Sequence, residues 1–278
     1  MTLATLAEVL GPANRDGYAV AGLVCLGWED ARAYAMAAQD LGAPVILQAG
    51  PSARAHTPLP VWGAMFRALA SEVDVPVVAH LDHGASADEV RAAIDAGFTG
   101  VMYDGSRDPL DRNVADTARI REMAHAAGIG CEGEVGFVGY AGGEPSAGTD
   151  PAEAARFAVE TGVDALAISV GNVHLQQGAG DGLDEDRIAA IAAATDVPLV
   201  IHGGSGVPAA QRARLAATTP IAKFNIGTEL RMSFGAALRD VLAADAAQYD
   251  RVAILRDTEG PLRRAARAAI ASLGWRPA

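Results

Sequence analysis

VPLVIHGGSG (197–206) is the stretch on which the fold turns. Its first five residues are apolar and rich in valine and isoleucine, the pattern of a parallel strand buried on both faces. A histidine closes the run, a glycine-rich turn follows, and Pro208 stands in the first turn of the next helical segment. The same signature recurs twice upstream. VPVVAHLD (75–82) is followed by His83, and DALAISVG (164–171) is followed three residues on by His174. In parallel α/β sheets the C-terminal ends of strands are where chemistry is placed. Neutral imidazole is the commonest metal ligand, and three imidazoles with one open position make a catalytic zinc site. His83, His174 and His202 are therefore the candidate metal ligands.

Outward from these runs the chain alternates strand and helix. Candidate strands cover 18–25, 44–49, 75–82, 99–103, 129–135, 164–170, 197–202 and 221–226. Alanine-rich segments of helical period fall at 29–41, 60–72, 86–96, 110–127, 151–161, 184–195, 208–217 and 228–243. Ser86, with Glu89 three residues on, and Asp150, followed by Pro151, read as helix N-caps. Eight strand–helix pairs in 278 residues predict an α/β fold of the (β/α)8 barrel type. No linker or charge block divides the chain, so one barrel domain is expected over 1–278. A C-terminal helical extension is expected at about 245–278, with its helix at 260–273. GFVGYAGGEPSAGT (136–149) is the most glycine-rich stretch and is expected to be a mobile lid.

Composition narrows the function. Lys and Arg number 22 against 34 Asp and Glu, giving a net charge of −12. A nucleic-acid or anionic-membrane partner needs a basic face, so neither is expected. A phosphate must instead be captured locally by backbone amides and helix ends. No run approaches the ~18–20 apolar residues that span a bilayer. MTLATLAEVLG lacks the basic flank and apolar core of a signal peptide. Two cysteines, Cys25 and Cys131, without a framework suit a reducing cytoplasm.

The polar residues at the expected strand ends converge on one rim. Asp82 and His83 close the third strand, and Asp104 follows the fourth in VMYDGS. Glu132 and Glu134, two apart in CEGEVG on the fifth, share a face. Asn225 ends the eighth. Asp82 beside His83 places a proton-handling carboxylate next to a metal ligand, although HLDHG alone also fits a helix-capping turn. Asp104 and Glu134 read either as holders of a second cation or as hydrogen-bonding orienters of the histidines. HGGSG (202–206) and NIGTE (225–229) offer an anion-binding turn, with hydroxyls from Ser205 and Thr228 and the amides of Gly227 and Thr228. His80 is expected to pack inside the barrel, and His56 and His125 to lie in a loop and a helix. Lys223, the only lysine, is expected near the phosphate end.

HLDHG, VMYDGS, EGEVG, the His174 turn, VPLVIHGGSG and KFNIGTEL, with LGAPVILQ upstream, resemble in order and spacing the class II, metal-dependent fructose- and tagatose-bisphosphate aldolases. The resemblance implies that His83, His174 and His202 bind catalytic Zn2+. It makes Asp82 the proton-transfer residue, and Asp104 and Glu134 a pair for a second divalent or monovalent cation. Gly203, Gly204 and Ser205 become the phosphate loop, and Asn225, Gly227 and Thr228 substrate contacts. The implied reaction cleaves or forms a C–C bond of a ketose phosphate, dihydroxyacetone phosphate plus an aldehyde, through a metal-stabilised enediolate. A homo-oligomer, dimer or tetramer, is implied as well.

Three departures from the family pattern mark this chain. The register of the family's proton-abstracting glutamate holds Ala141 and Gly142, leaving Glu144 as the substitute. The family's strand-one asparagine is replaced, near Val24. Leu175 replaces the glycine after the histidine, and HLQQGAGDG lacks the usual lysine and aromatic. Two other readings stay open: a metal-dependent barrel hydrolase or epimerase, and a non-catalytic sugar-phosphate-binding homologue.

Overall fold

The structure, a computed structural model, describes residues 2–178 and 180–276. Eight parallel strands close on themselves in chain order. They are β1 (Val20–Cys25), β2 (Val45–Ala49), β3 (Val77–Gly84), β4 (Gly100–Tyr103), β5 (Gly130–Val135), β6 (Ala165–Ile168), β7 (Leu199–Ile201) and β8 (Ile221–Ile226). All eight fall within or beside the expected ranges. The helices are α1 (Leu6–Asp16), α2 (Trp28–Leu41), α3 (Pro51–His56), α4 (Leu59–Ser71), α5 (Ala87–Asp95), α6 (Leu110–Ala126), α7 (Pro151–Thr161), α8 (Glu185–Ala194), α9 (Ala209–Thr218), α10 (Thr228–Ala244) and α11 (Arg251–Ala271). The expected caps form: Ser86 Oγ accepts from Glu89 N at 3.2 Å, and Asp150 Oδ1 from Ala152 N at 2.8 Å.

Continuous burial of the strands follows from their position between the lumen and the helix ring. One apolar cluster fills the space between barrel and helices. A second plugs the N-terminal mouth, where Leu6, Val9, Leu10 and Ala13 of α1 meet Val20, Ile46, Val78, Val200 and Ala222 of the strands. With the bottom sealed by apolar side chains, the C-terminal mouth is left for polar groups.

Four departures from expectation have local causes. Helix α1 was not anticipated: a capping box at Thr5 and Glu8 starts the helix, and burial of its apolar face carries it through Gly11 and Pro12. Helix α11 begins nine residues before the expected start, because the Gly260–Pro261 step lies inside the helix and not at its head. His56 ends the short helix α3 instead of lying in a loop. The 136–149 segment is tied down: Phe137 and Ala147 exchange backbone hydrogen bonds of 2.8 Å, and Ala141 N donates to His174 O at 2.9 Å. No helix among the described residues is long and apolar enough to cross a membrane.

Candidate active site

Strand β3 does not stop at Asp82. It runs on to Gly84 across a register shift against β4, and His83 sits there with φ +53°. A left-handed conformation costs a non-glycine residue ~1–2 kcal/mol, so something must hold it. Arg54 does so. Its guanidinium donates to the carbonyls of Ala49 and Asp82, both at 2.6 Å, and of His83 at 3.0 Å, and its Nε reaches Glu89 at 2.8 Å. Arg54 was missed from sequence because it acts on backbone, which leaves no motif.

The three histidines meet. Ring centroids lie 4.7 Å apart for His83–His202, 5.3 Å for His83–His174 and 5.9 Å for His174–His202. One ligand atom from each falls within 4.8 Å of the others. Each ring is oriented from outside the trio. His83 Nδ1 is 2.7 Å from Asp104 Oδ2, leaving Nε2 for the centre. His202 Nε2 is 2.9 Å from Glu132 Oε1, leaving Nδ1. His174 donates its backbone N–H to Gly139 O at 2.8 Å, and its ring stacks on Tyr140 at 5.0 Å.

The carboxylates divide. Asp104 Oδ1 is occupied by the Ser106 hydroxyl at 2.6 Å and its other oxygen by His83, so it fixes the His83 ring. Glu134, with His83 and Asp104, forms a second group of potential ligand atoms. Its Oε2 is buried with no hydrogen-bond partner, 3.4 Å from His202 Nδ1, which is also unpartnered. Two sealed acceptor positions facing each other cost ~1–3 kcal/mol apiece unless a cation lies between. A nitrogen-rich donor set with flanking carboxylates fits zinc better than magnesium or calcium.

Charge follows the same logic. Burial opposes protonation of His83, but Asp82, Asp104 and Glu134 outweigh it and raise the ring to about 10. Burial, with His202 and His83 alongside, pushes His174 down to about 3, keeping it neutral and fit to bind a metal. Burial drives Glu134 up to about 7. Burial acts upward on Asp82 too, yet the neighbouring cationic groups, His83 first, hold it below its ordinary value.

Beneath the trio lies a buried pair. Lys223 Nζ reaches Glu132 Oε2 at 2.5 Å and His80 Nε2 at 3.4 Å, all fully buried. The expectation that Lys223 stands at the phosphate end is corrected: it shares the inward face of β8 with Asn225 but lies one layer deeper, where Glu132 neutralises it. His80 packs inside the barrel as expected. Glu132→Gln should leave the Lys223 charge unpaired, costing ~3–5 kcal/mol of stability. It should also loosen His202, weakening metal affinity ~10–100-fold. Urea unfolding and metal titration check the two effects separately.

A cavity of about 550 Å³ opens above the histidine trio. Asp82, His83, Asp104, His174, Gly203, Ser205, Asn225, Gly227 and Thr228 line it, all expected from sequence. Asp82 Oδ1 accepts from Asn225 Nδ2 at 3.1 Å. Ser205 Oγ accepts from the amides of Gly227 and Glu229 at 3.3 and 3.2 Å, so the turn after β7 and the N-terminus of α10 face one spot. Gly203 takes φ +62°, and a Cβ there would lie 2.4 Å from Val173 O. Gly204 is buried behind the lining, against Asn225 O. Glu144 is not brought in: its side chain is 52% exposed and pairs with Arg107 at 2.7 Å. Leu175 keeps a left-handed backbone, φ +60°, at the wall. Arg107 and Tyr140 on loops, and Ser52 and Arg231 in the first turns of α3 and α10, also line the cavity and were missed, since single side chains at such positions carry no periodic signal.

Residues 4–276 match the family model described as class II fructose-bisphosphate aldolase. A probable fructose-bisphosphate aldolase of Bacillus subtilis (strain 168) is 37% identical over 272 residues, 95% of this chain and 94% of the relative. A 6-phospho-5-dehydro-2-deoxy-D-gluconate aldolase of Bacillus velezensis is 40% identical over 242 residues, 84% and 82% of the two chains. Among solved structures, the YdjI aldolase of Escherichia coli K12 superimposes with a TM-score of 0.85 at 29% identity, covering 98% of this chain and 97% of that one.

Proposed function

The chain belongs to the class II fructose-bisphosphate aldolase family, and on that footing we propose that it is a zinc-dependent aldolase joining and splitting dihydroxyacetone phosphate and an aldehyde. The family makes it a carbon–carbon lyase that is metal-dependent and acts on a small sugar phosphate. The observation that carries the finer reading is the unpartnered pair His202 Nδ1 and Glu134 Oε2 within the imidazole trio.

His83, His174 and His202 would hold the ion, with Asp104 and Glu134 behind them. When bound, zinc supplies Lewis-acid polarisation of the carbonyl and hydroxyl oxygens at the scissile bond. The remaining work falls to the chain. Gly203, Ser205, Gly227 and Thr228 present amides and hydroxyls to the donor phosphate at the head of α10. Asn225 holds one oxygen of Asp82, leaving Oδ2 to take or return the proton of the acceptor hydroxyl as the bond breaks or forms. Tyr140 covers His174 and shields that side from water.

Both cysteines are buried and unpaired, which supports a reducing cytoplasm. Tyr249 and Val252, 92% and 73% exposed near the start of α11, support burial against another copy. The anion-binding turn facing the metal trio speaks for a phosphorylated substrate, which a zinc hydrolase does not need, and an epimerase would act without any aldehyde acceptor. Incubating the protein and zinc with dihydroxyacetone phosphate in D2O tests the reading: an aldolase or its half-reaction places deuterium on the donor carbon. A non-catalytic binding homologue leaves the donor unlabelled, and that result would overturn the proposal.

A further inference from the structure

The anion-binding turn has a buried arginine behind it. Arg212 stands at the end of the first turn of α9 and is 4% exposed. Its Nε donates to Val207 O at 2.8 Å, and its Nη2 to Ser205 O at 3.2 Å. Its Nη1 pairs with Glu229 Oε1 at 3.0 Å and donates to Ser272 Oγ at 3.3 Å, at the end of α11. One guanidinium thus ties the turn after β7 to the heads of α9 and α10 and to the tail of α11. Its planar fork spans two carbonyls and a carboxylate at once, which a lysine ammonium does not.

The residues it holds are those that face the anion. Ser205 Oγ accepts from the amides of Gly227 and Glu229. A hydroxyl whose oxygen is taken up by two amides keeps its one proton for another acceptor, and Ser205 lines the cavity. Glu229 poses the opposite problem. An acid in the first turn suits the positive end of a helix, but there it competes with a bound phosphate. Arg212 cancels that charge, and the Glu229 side chain stays out of the cavity lining. The guanidinium is shut away from solvent, so salt screens the pair little.

Resting on the aldolase reading, we propose that Arg212 is a positioning residue for the donor phosphate. It fixes the Ser205 backbone so that the hydroxyl and the amides of α10 converge on the anion, and it neutralises Glu229 so that the anion is not repelled. Arg212 bonds to none of the metal ligands, so its loss is felt at the phosphate and not at the zinc.

Calorimetric titration of the zinc-loaded protein with inorganic phosphate and with dihydroxyacetone phosphate, alongside the kinetics of donor deuterium exchange, tests this. Small misplacements of binding groups cost up to ~100-fold, so Arg212→Met should weaken both ligands by about tenfold. The KM for exchange should rise in parallel, with kcat within a few-fold of wild type and zinc content unchanged. Arg212→Lys should restore part of the affinity. Adding Glu229→Gln to Arg212→Met should also recover part of it, by removing the unpaired acid. Circular dichroism establishes that each variant is folded. If Arg212→Met does not fold, Arg212→Lys carries the test, with a several-fold loss of phosphate affinity against wild type. Unchanged phosphate affinity in the Arg212 variants, or a loss that falls on kcat or zinc content with KM in place, overturns the assignment. A double variant that binds phosphate no better than Arg212→Met overturns the neutralising role. A wild type that binds neither ligand overturns the phosphate site and the proposal with it. Binding of both ligands that depends on Arg212, without deuterium exchange, overturns the aldolase reading and leaves the positioning role standing.

Discussion

Asp82→Ala lowers kcat by about 10²–10⁴-fold, the range expected for losing a positioned acid–base group, while the protein keeps its zinc. Asp82 is 5% exposed at the end of β3, next to a metal ligand but not among the grouped ligand atoms. Its carboxylate is held by Asn225, and its partners keep it ionised. Truncation frees Asn225 Nδ2 and removes one negative charge beside His83 but leaves all three imidazoles. The separation of effects is what distinguishes a proton-transfer role from a ligand role. Steady-state rates and elemental analysis on one preparation check it. Activity within a few-fold of wild type removes Asp82 from the mechanism, and loss of zinc reassigns it to the metal.

His202→Ala takes turnover to background and strips the metal. Loss of a group that merely orients a ligand already costs ~10–100-fold in metal affinity, and His202 is itself one of the three nitrogens. It is fully buried and bonded to Glu132, so its removal leaves Glu132 Oε1 without its imidazole, while Lys223 and His80 remain at Oε2. A stability loss of ~1–3 kcal/mol from the orphaned polar group is expected. His174→Ala should be milder for the fold, because that ring stands at the cavity wall, yet equally damaging to zinc retention. Elemental analysis with thermal unfolding separates the two cases. A His202→Ala protein that holds stoichiometric zinc contradicts the assigned ligand set.

The barrel was legible because buried parallel strands are short, aliphatic and terminated by polar residues, a pattern that survives in a single sequence. The histidines were legible for the same reason: each follows such a run, and the closed sheet then brings their positions together. Helix α1 was not assigned from sequence; burial of Leu6, Val9 and Leu10 in the barrel mouth carries it through Pro12. Arg54, Glu132 and Lys223 were hidden as a working set because their partners lie 28, 70 and 91 residues away. Neighbouring sequence says nothing about such contacts. Glu144 shows the converse limit. Its register near the family's acidic pair suggested a place in the site, but the hairpin at 136–149 turns it outward onto Arg107. Leu175 shows that a turn can keep its left-handed geometry after losing its glycine, so the departure in sequence did not displace His174.

Zinc stoichiometry followed through a chelation cycle is the most direct measurement of the site. The purified protein should carry one zinc per chain at the imidazole trio. Dialysis against a chelator should remove the ion together with donor deuterium exchange, and zinc readdition should restore both in proportion. Full exchange by protein shown to be metal-free would contradict the assignment of His83, His174 and His202 as the ligands on which the chemistry depends.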